Sequence, residues 1–267
     1  MKKYTTTLTI AGSDNSGGAG IQADLKTFSA LGCYGMSVIT ALTAQNTRGV
    51  QTIYEVSPAF IGQQIDSIFE DIKVDAIKIG MLHSTEVITT VAEKLRNYKT
   101  IPLILDPVMV GKDKSPLLKP TAINALRDNL LPLATLITPN LPEAETLLGK
   151  TIRDHKEMEK SALELSKLGP KAVLIKGGHL AEPESADCLY IENTYHWFSN
   201  PRIETINTHG TGCTLSAAIA AFMAKKYSLY DAVKNAKKYI SAAIATGSEY
   251  KLGHGYGPVH HFHQLWK

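Results

Sequence analysis

The sequence predicts an α/β fold in which a central, mainly parallel sheet is flanked by helices on both faces. Two patterns support this prediction. Short apolar runs that end at Gly, Pro, Asn or Asp recur along the chain, as expected of buried strands. The segments between these runs carry apolar residues at helical spacing. Such alternation is typical of parallel strands that are joined by helices.

The predicted elements follow one another in a regular order. Six runs have the character of buried strands: TLTIAG, MSVITALTA, DAIKIGM, PLILDPV, TLITPN and AVLIKGG. Helical spacing of apolar residues recurs between them, in the sets Ile61, Ile65, Ile68 and Ile72; Val87, Val91 and Leu95; and Met158, Ala162 and Leu165. The stretch DCLYIENTYHWF then predicts an antiparallel hairpin at the sheet edge. Two helices follow, one starting near Thr211 and one spanning roughly Leu229 to Gly247.

Composition favours a single domain over residues 1–267, because no repeat, low-complexity segment or flexible linker divides the chain. The net charge of +3 is modest and the lysine clusters lack interleaved aromatic residues, so no nucleic-acid partner is expected. No apolar segment has the length of a membrane span, so no membrane partner is expected either. The three cysteines are an odd number without a CxxC pair, which favours a reducing cytoplasm.

Polar residues recur at the predicted carboxyl ends of the strands. Five apolar runs end at or are followed by such a residue: Asp14, Gln45, Asp106, Asn140 and Lys176. Each has an ordinary alternative explanation, because Asp and Asn often begin loops and a lysine at a strand end is usually just exposed. Ligands of open parallel sheets bind beyond these strand ends. The recurrence therefore predicts a binding site at this edge of the sheet.

Two well-known phosphate-binding motifs do not fit the sequence. The stretch GAGIQA matches the dinucleotide pattern G-x-G-x-x-A, but the second strand ends in AQN, without the acidic residue that would hold a ribose. The six residues SDNSGG also separate the strand from the helix too widely for that tight turn. A Walker loop, G-x-x-x-x-G-K-[ST], does not occur.

The stretch HGTGCT is a third candidate for binding phosphate. Gly210 and Gly212 allow successive N–H groups to converge, and the predicted helix after them adds positive potential at its amino end. Such amides suit the charge that develops on a transferring phosphoryl group. The alternative is a turn before a core helix with a buried Cys213. For the thiol, the roles of nucleophile, metal ligand and proton acceptor also stay open.

Together with GTGC, seven stretches point to one family: AGSDNSGGAGIQADLKTFSALG, TALTAQNT, KIGML, DPVMV, TPNLPEA, KGGH and GHGYGPVHHFHQLW. From about Leu8 to Trp266 the chain resembles the hydroxymethylpyrimidine/phosphomethylpyrimidine kinases, the thiamin-biosynthesis branch of the ribokinase-like kinases. The resemblance implies a ribokinase-like fold, ATP as donor and a small-molecule aminopyrimidine as acceptor. The hydroxymethyl group would be phosphorylated first, and the monophosphate would then become the diphosphate.

The resemblance also implies the catalytic residues. The family's anion hole falls on Gly210, Thr211, Gly212 and Cys213, and the pyrimidine kinases have cysteine where most ribokinase-like enzymes have an aspartate base. A thiol at a helix amino end is expected to shift toward thiolate and to accept the proton of the substrate hydroxyl. Because phosphoryl transfer is largely dissociative, a weak base suffices. A covalent phosphocysteine is the alternative.

By the same resemblance, the acceptor pocket falls on Gly12, Asp24, Gln45, Met81 and Val108. A side-chain amide such as that of Gln45 both donates and accepts, as the edge of an aminopyrimidine requires. The polarizable thioether of Met81 packs well against a flat ring. The ordinary alternatives are a solvated Asp24 in the first turns of a helix and a Met81 in the core.

The resemblance places the nucleotide and metal sites at neighbouring strand ends. Lys176 and Asn140 would bind ATP, with Lys176 acting as a point charge on the phosphates. Asp106 and Glu143 would hold Mg²⁺, largely through its waters. Asn140 and Glu143 also have the spacing of a capping box, with Pro142 in the first turn of the helix. The two roles are compatible.

Further interpretations concern the tail and the rival activities. The histidines of GYGPVHHFH, His260, His261 and His263, lack a nearby Cys or acidic partner, so no metal is expected there. The rival activity is a kinase for pyridoxal, pyridoxine or pyridoxamine, against which Gln45 and this tail favour the pyrimidine. A non-catalytic pyrimidine sensor is a second alternative. The resemblance also implies a homodimer that forms through an edge of the sheet.

Overall fold

A computed structural model describes residues 1–111, 113, 115–178, 180 and 183–266. The strands that it describes all belong to one sheet: β1 (Thr6–Asp14), β2 (Tyr34–Asn46), β3 (Gly49–Glu55), β4 (Ala76–Ile79), β5 (Leu103–Leu105), β6 (Leu136–Ile137), β7 (Ala172–Ile175), β8 (Glu184–Ile191) and β9 (Thr194–Pro201). Their order across the sheet is β3-β2-β1-β4-β5-β6-β7-β8-β9.

The centre of the sheet is parallel and its edges are antiparallel. The strands from β2 to β7 in this order run parallel, while β3 pairs antiparallel with β2, and β8 and β9 extend the other edge as an antiparallel hairpin. The chain leaves β1 toward β2 and later returns to β4 on the other side of β1. The sheet therefore has a topological switch point between β1 and β4, where ligands of such sheets bind.

Helices cover both faces of the sheet, which confirms the predicted fold class. They are α1 (Gly20–Ala30), α2 (Pro58–Asp71), α3 (Thr85–Leu95), α4 (Ile123–Ala125), α5 (Leu141–Leu148), α6 (His155–Ser166), α7 (Thr211–Ala224) and α8 (Leu229–Gly247). Leu103 and Leu105 of β5 lie in one core with α2, α3 and α6, whereas Ile104 between them lies in a second core with α1, α7 and α8. Across the described ranges, no helix is long and apolar enough to cross a membrane.

The predicted elements are confirmed except at one edge. All six predicted strands, the helices read from apolar spacing and the hairpin are present, and the hairpin turns at Glu192 and Asn193, which have φ angles of 49° and 59°. The antiparallel strand β3 was not predicted. It has no buried residue, so it lacks the alternation of apolar and polar residues that identifies a strand with one buried face.

Candidate active site

The carboxyl ends of β1 and β4 bring two predicted pocket residues together. Gly12 of β1 lies beside Met81, just after β4: a Cβ atom at residue 12 would lie 3.0 Å from the Met81 sulfur. The carbonyl oxygen of Met81 accepts a hydrogen bond of 2.6 Å from the Thr40 hydroxyl, which fixes this segment against β2. Gly12 and Met81 therefore form one surface at the switch point.

Gln45 and Val108 lie half-buried at the same edge, Gln45 near the end of β2 and Val108 after β5. The Gln45 side-chain amide donates to Thr43 Oγ1 at 2.8 Å, and its backbone N–H donates to Asn15 Oδ1 at 2.8 Å. The backbone N–H of Val108 donates to the carbonyl of Asp106 at 2.8 Å. The amide of Gln45 is thus held in a fixed orientation by its own strand and by the loop after β1.

Asp24, the charged residue of the predicted pocket, is fully buried. On α1, its Oδ2 accepts hydrogen bonds from Lys78 Nζ at 2.8 Å and from Thr9 Oγ1 at 2.6 Å. Its Oδ1 is buried and has no hydrogen-bond partner in the described part of the chain. The alternative of a solvated Asp24 is therefore wrong, and direct contact between this carboxylate and a substrate stays a prediction.

Lys78 is a charged residue that the sequence reasoning missed. It lies fully buried on β4, where it forms the ion pair with Asp24. Burial alone would lower the pKa of Lys78, but the negative charges of Asp24, Cys213 and Asp106 together outweigh burial and raise it well above its usual value. The ammonium therefore stays charged. A lysine inside the apolar run AIKIG was the signal that could have identified it.

The amino end of α7 lies where the sequence predicts an anion hole. Gly210 precedes the helix with a φ of +79°, and a Cβ atom there would overlap the carbonyl oxygen of Gly18. No side chain caps this helix start. The Thr211 amide donates to the Thr208 carbonyl at 3.3 Å, so it is engaged in a turn. Amides of a first helical turn lack intrahelical partners. Of the predicted donors to a phosphoryl group, the amides of Gly212 and Cys213 therefore remain available.

The thiol of Cys213 does not have the predicted thiolate character. Burial raises the pKa of Cys213 to about 11, although the Lys78 ammonium opposes this shift. The carboxylates of Asp24 and Asp106 raise the pKa further, while the backbone N–H of Gly20 donates to the sulfur and lowers it. The expected shift toward thiolate was wrong because burial and two carboxylates outweigh the helix start. Cys213 is a neutral thiol at pH 7 in this conformation.

Asp106 and Lys176 form an ion pair at the anion hole. Lys176 Nζ lies 2.8 Å from Asp106 Oδ1, and a Cβ atom at Gly212 would lie 3.3 Å from Nζ. Asp106 also accepts hydrogen bonds from Thr138 and Ser216, which sequence reasoning missed. The Lys176 side chain is 14% exposed, so the alternative of a solvated strand-end lysine is wrong. A cation and a carboxylate thus adjoin the helix start.

Asn140 and Glu143 form the capping box whose spacing the sequence shows. Asn140 Oδ1 accepts the Glu143 N–H at 2.9 Å, and Glu143 Oε2 accepts the Asn140 N–H at 2.8 Å. Burial raises the pKa of Glu143 to about 7; Lys176 opposes this shift and Asp106 adds to it. The carboxyl group therefore holds its proton to a higher pH than an ordinary glutamate does.

These carboxylates fit a weakly held magnesium ion better than a closed metal cage. In the residues that the structure describes, no group of three or more His, Cys, Asp or Glu side chains could hold a metal. The negative charge of Asp106 nevertheless raises the pKa of Glu143, and a cation between the two carboxyl groups would relieve this repulsion. Mg²⁺ usually keeps several waters and needs only one or two carboxylates besides the substrate phosphates.

A side-chain hydrogen bond that was not predicted links the end of β1 to the turn before α7. Nε2 of His209 lies 2.9 Å from Asp14 Oδ2, which also accepts the N–H groups of Gly18 and Ala19 at 3.0 and 2.8 Å. Burial alone would raise the pKa of Asp14, but these partners, His209 foremost, lower it to about 2. The first two amides of the GAGIQA stretch, those of Gly18 and Ala19, are thus occupied by Asp14.

The histidine-rich tail packs against α7. His261 is buried, its Nε2 lies 3.1 Å from Thr214 Oγ1, and its carbonyl oxygen accepts a hydrogen bond from the Tyr239 hydroxyl. Burial lowers the pKa of His261 to about 3, so the ring is neutral. The tail therefore contacts α7 and α8 and stabilises the first turn of α7.

An open α/β sheet with an uncapped helix start, a lysine and carboxylates at its strand ends defines a kinase of the ribokinase-like class. The family model for phosphomethylpyrimidine kinase matches residues 14–260. The chain belongs to this phosphomethylpyrimidine kinase family.

Individual relatives agree with this membership. The hydroxymethylpyrimidine/phosphomethylpyrimidine kinase of Escherichia coli (strain K12) is 52% identical over 265 residues, which cover 99% of this chain and 100% of the relative. The crystal structure of the Clostridium difficile 630 phosphomethylpyrimidine kinase is 48% identical, with a TM-score of 0.80 over 90% of this chain and 99% of its own. The Bacillus subtilis pyridoxal kinase, solved as an ADP complex, is 37% identical, with a TM-score of 0.89 over 97% of this chain and 98% of its own.

Proposed function

We propose that this chain uses ATP to phosphorylate 4-amino-5-hydroxymethyl-2-methylpyrimidine, and then its monophosphate to the diphosphate, in thiamin biosynthesis. The observation that carries the proposal is the uncapped start of α7, which adjoins the Lys176–Asp106 ion pair at the strand ends. Higher identity to the pyrimidine kinases than to the pyridoxal kinase supports this acceptor over the rival one.

The anion hole is proposed to receive the phosphoryl group during its transfer. The amides of Gly212 and Cys213, fixed before any substrate binds, would donate to its oxygen atoms, and Lys176 would neutralise charge on the phosphates of ATP. Preorganised donors of this kind act without reorganisation at the moment of reaction. Because the transition state of phosphoryl transfer is loose, positioning and charge stabilisation carry most of the catalysis.

Cys213 is proposed to lie beside the accepting hydroxyl and to take its proton. Because its thiol is neutral at rest, it must first lose its own proton to solvent. A thiol with a pKa of about 11 is a poor resting nucleophile, which disfavours the phosphocysteine alternative. In a loose transition state the hydroxyl proton leaves late, so a small thiolate population suffices.

The acceptor pocket is proposed to lie over Gly12 and Met81. Their shared surface at the switch point would contact the flat face of the pyrimidine, with Val108 on the side of β5. Gln45, oriented by Thr43, would bind the edge that carries the amino group. Asp24 would act from beneath this surface, because its carboxylate is closed off from solvent.

Asp106 and Glu143 are the residues proposed to hold Mg²⁺, next to Asn140 and Lys176 on the nucleotide side. When bound, the ion would neutralise charge on the ATP phosphates. Glu143 would then be ionised, because a nearby cation favours its charged form. Asn140 would keep the carboxylate in place through the capping box.

A homodimer is proposed to form through the β3 edge of the sheet. Leu42 and Tyr54 pair across β2 and β3 and are both exposed, as is Phe60 nearby. An exposed edge strand with apolar side chains is a natural pairing surface. Tyr54→Lys should give a monomer in sedimentation experiments, and an unchanged sedimentation coefficient would count against this edge. The proposed location of the protein is the cytoplasm, which rests on the three unpaired cysteines.

A direct assay tests the proposed function. The purified chain, ATP and Mg²⁺ should add one and then two phosphoryl groups to the pyrimidine, as measured by mass spectrometry. No ATP-dependent gain of mass would favour the sensor instead. A preference for pyridoxal above tenfold in kcat/KM, about 1.4 kcal/mol of transition-state binding, would overturn the choice of acceptor.

A matched pair of glutamine variants tests the pocket. Gln45→Leu should lower kcat/KM for the pyrimidine by roughly tenfold or more, because a buried hydrogen-bond partner is lost. Gln51→Leu, on the exposed strand β3, should leave kcat/KM unchanged. Equal values for both variants would remove Gln45 from the pocket.

A further inference from the structure

Lys78 has no part in the proposed chemistry, yet its side chain is fully buried. Ile77 and Ile79 belong to the core on the α2–α3 face, so Lys78 between them points to the other face. There it lies among β4, α1 and α7, and α7 packs on β4. Lysine is almost never fully buried unless it is paired. Its pairing partner, Asp24, belongs to α1.

The position of the Lys78 ammonium is fixed by its surroundings. Nζ lies 2.8 Å from Asp24 Oδ2, which the Thr9 hydroxyl also holds at 2.6 Å. A Cβ atom at Gly80 would lie only 2.8 Å from Nζ, so the glycine leaves room for the ammonium at the end of β4. The other oxygen of Asp24 is buried and has no partner among the described residues.

Four charged groups interact with the Cys213 thiol from the elements around it. They are Lys78 on β4, Asp24 on α1, Asp106 after β5 and Lys176 after β7. Lys78 and Lys176 stabilise negative charge on the sulfur, whereas both carboxylates oppose it. Lys176 is held by Asp106 beyond β5 and β7, whereas Lys78 is held by Asp24 on the side of α1.

We infer that the Lys78–Asp24 ion pair is a positioning element for Cys213: the ammonium stabilises the sulfur when it carries negative charge, and Asp24 holds the ammonium in place. The inference rests on the proposed role of the thiol. The thiol first loses its proton to water. The thiolate then accepts the hydroxyl proton as the hydroxyl oxygen bonds to phosphorus and ADP leaves.

Alkylation of Cys213 by iodoacetamide, followed by peptide mass spectrometry from pH 7 to 10.5, tests this inference without catalysis. Lys78→Met should slow alkylation at pH 8 by about tenfold, because the carboxylates are left unbalanced near the sulfur. Asp24→Asn should speed it by about tenfold, because the ammonium is left unbalanced instead. Lys237→Met is the matched control, since Lys237 of α8 forms a buried pair with Asp187 of β8.

The opposite changes expected in the alkylation rates of the two single variants distinguish an electrostatic role of the ion pair from a structural one. Loosened packing would speed alkylation in both variants, and that result, or no change in either, would overturn the inference. The double variant Lys78→Met/Asp24→Asn removes both charges and should alkylate at nearly the wild-type rate, even where the single variants fold poorly. Lys78→Met should also lower kcat more than it changes KM. Turnover of Cys213→Ser tests the proposed function separately, so the two failures are distinguishable.

Discussion

Two buried lysine–aspartate pairs among the described residues differ in how completely their polar atoms are satisfied. Lys237 of α8 binds Asp187 Oδ2 at 2.7 Å and the Ser185 carbonyl at 3.0 Å, while Asp187 Oδ1 accepts the Gly177 N–H at 3.0 Å. In the pair of Lys78 and Asp24, one oxygen of the carboxylate has no partner within the described ranges.

The difference separates scaffold from site. A buried ion pair is expensive to desolvate, and every unsatisfied polar atom adds to this cost. The pair of Lys237 and Asp187 offsets the cost with its hydrogen bonds, as a structural pair should. The pair beneath Cys213 does not, and groups that are left under-satisfied in a folded protein concentrate at functional sites. This distinction is tested by pairs of substitutions, in which one residue of the proposed site is compared with a similar residue elsewhere in the fold.

The largest effect is expected at Gly210. Gly210→Ala should lower turnover by roughly 10³-fold, near the upper end for loss of an oxyanion-hole donor, because the new Cβ would overlap the Gly18 carbonyl and displace the start of α7. Gly149 is the scaffold control: its φ is +67°, but a Cβ there meets nothing within 4 Å. Gly149→Ala should cost about 1 kcal/mol of stability and no turnover. Steady-state kinetics and urea unfolding measure both, and equal turnover in the two variants would contradict the anion hole.

The next effect is expected at the thiols. Cys213→Ser should keep the fold and lower turnover by roughly 10²-fold or more, the usual range for a lost acid–base group. Cys188, next to Asp187, is a buried thiol whose pKa burial raises to about 12. Cys188→Ser should lower the melting temperature and leave kcat unchanged. Near-normal kinetics of Cys213→Ser would remove this thiol from the mechanism.

A smaller effect on turnover is expected when the scaffold pair is broken. Lys237→Met leaves Asp187 buried without its cation and should lower the free energy of unfolding by about 3–5 kcal/mol. The kcat and KM of the folded fraction should not change. A loss of kcat in excess of the unfolded fraction would show that the two pairs do not differ in role.

Much of the fold could be predicted from the sequence, because its core elements bury continuous or periodic apolar faces. The strand β3 could not, since a strand that is exposed on both faces leaves no apolar periodicity. Sheet order also depends on long-range pairing, as in the return from β1 to β4, which no local pattern specifies.

The positions of candidate site residues could be predicted where a residue stands at a strand end or in a glycine turn, as with Lys176 and Gly210. The contacts that link distant segments were not predictable: His209 binds Asp14 across the fold, and Lys78 binds Asp24 through the interior. The state of Cys213 was mispredicted for the same reason. A helix start is visible in the sequence, whereas burial and the charges of other elements emerge only from packing.

The smallest effect is a change in pH dependence at Glu143. Its pKa is raised from an ordinary value of 4.5 to about 7 in the fold, so between these values the folded protein keeps a proton that the unfolded chain has released. Stability must therefore fall as pH rises through this window, by about 3 kcal/mol for this group. Glu143→Gln keeps the capping box but cannot ionise, so its stability relative to wild type should rise by that amount from pH 4.5 to 7.5 in urea unfolding.

Asp14 provides the control for this dependence of stability on pH. Its pKa is lowered from 3.8 to about 2 in the fold, so its contribution is complete above about pH 4 and is lost only as pH falls toward 2. Asp14→Asn should therefore destabilise the protein by a constant amount between pH 4.5 and 7.5. If Glu143→Gln also differed from wild type by a constant amount, the carboxyl group would be ionised throughout. Glu143 would then act only as the capping residue of α5, without a raised pKa.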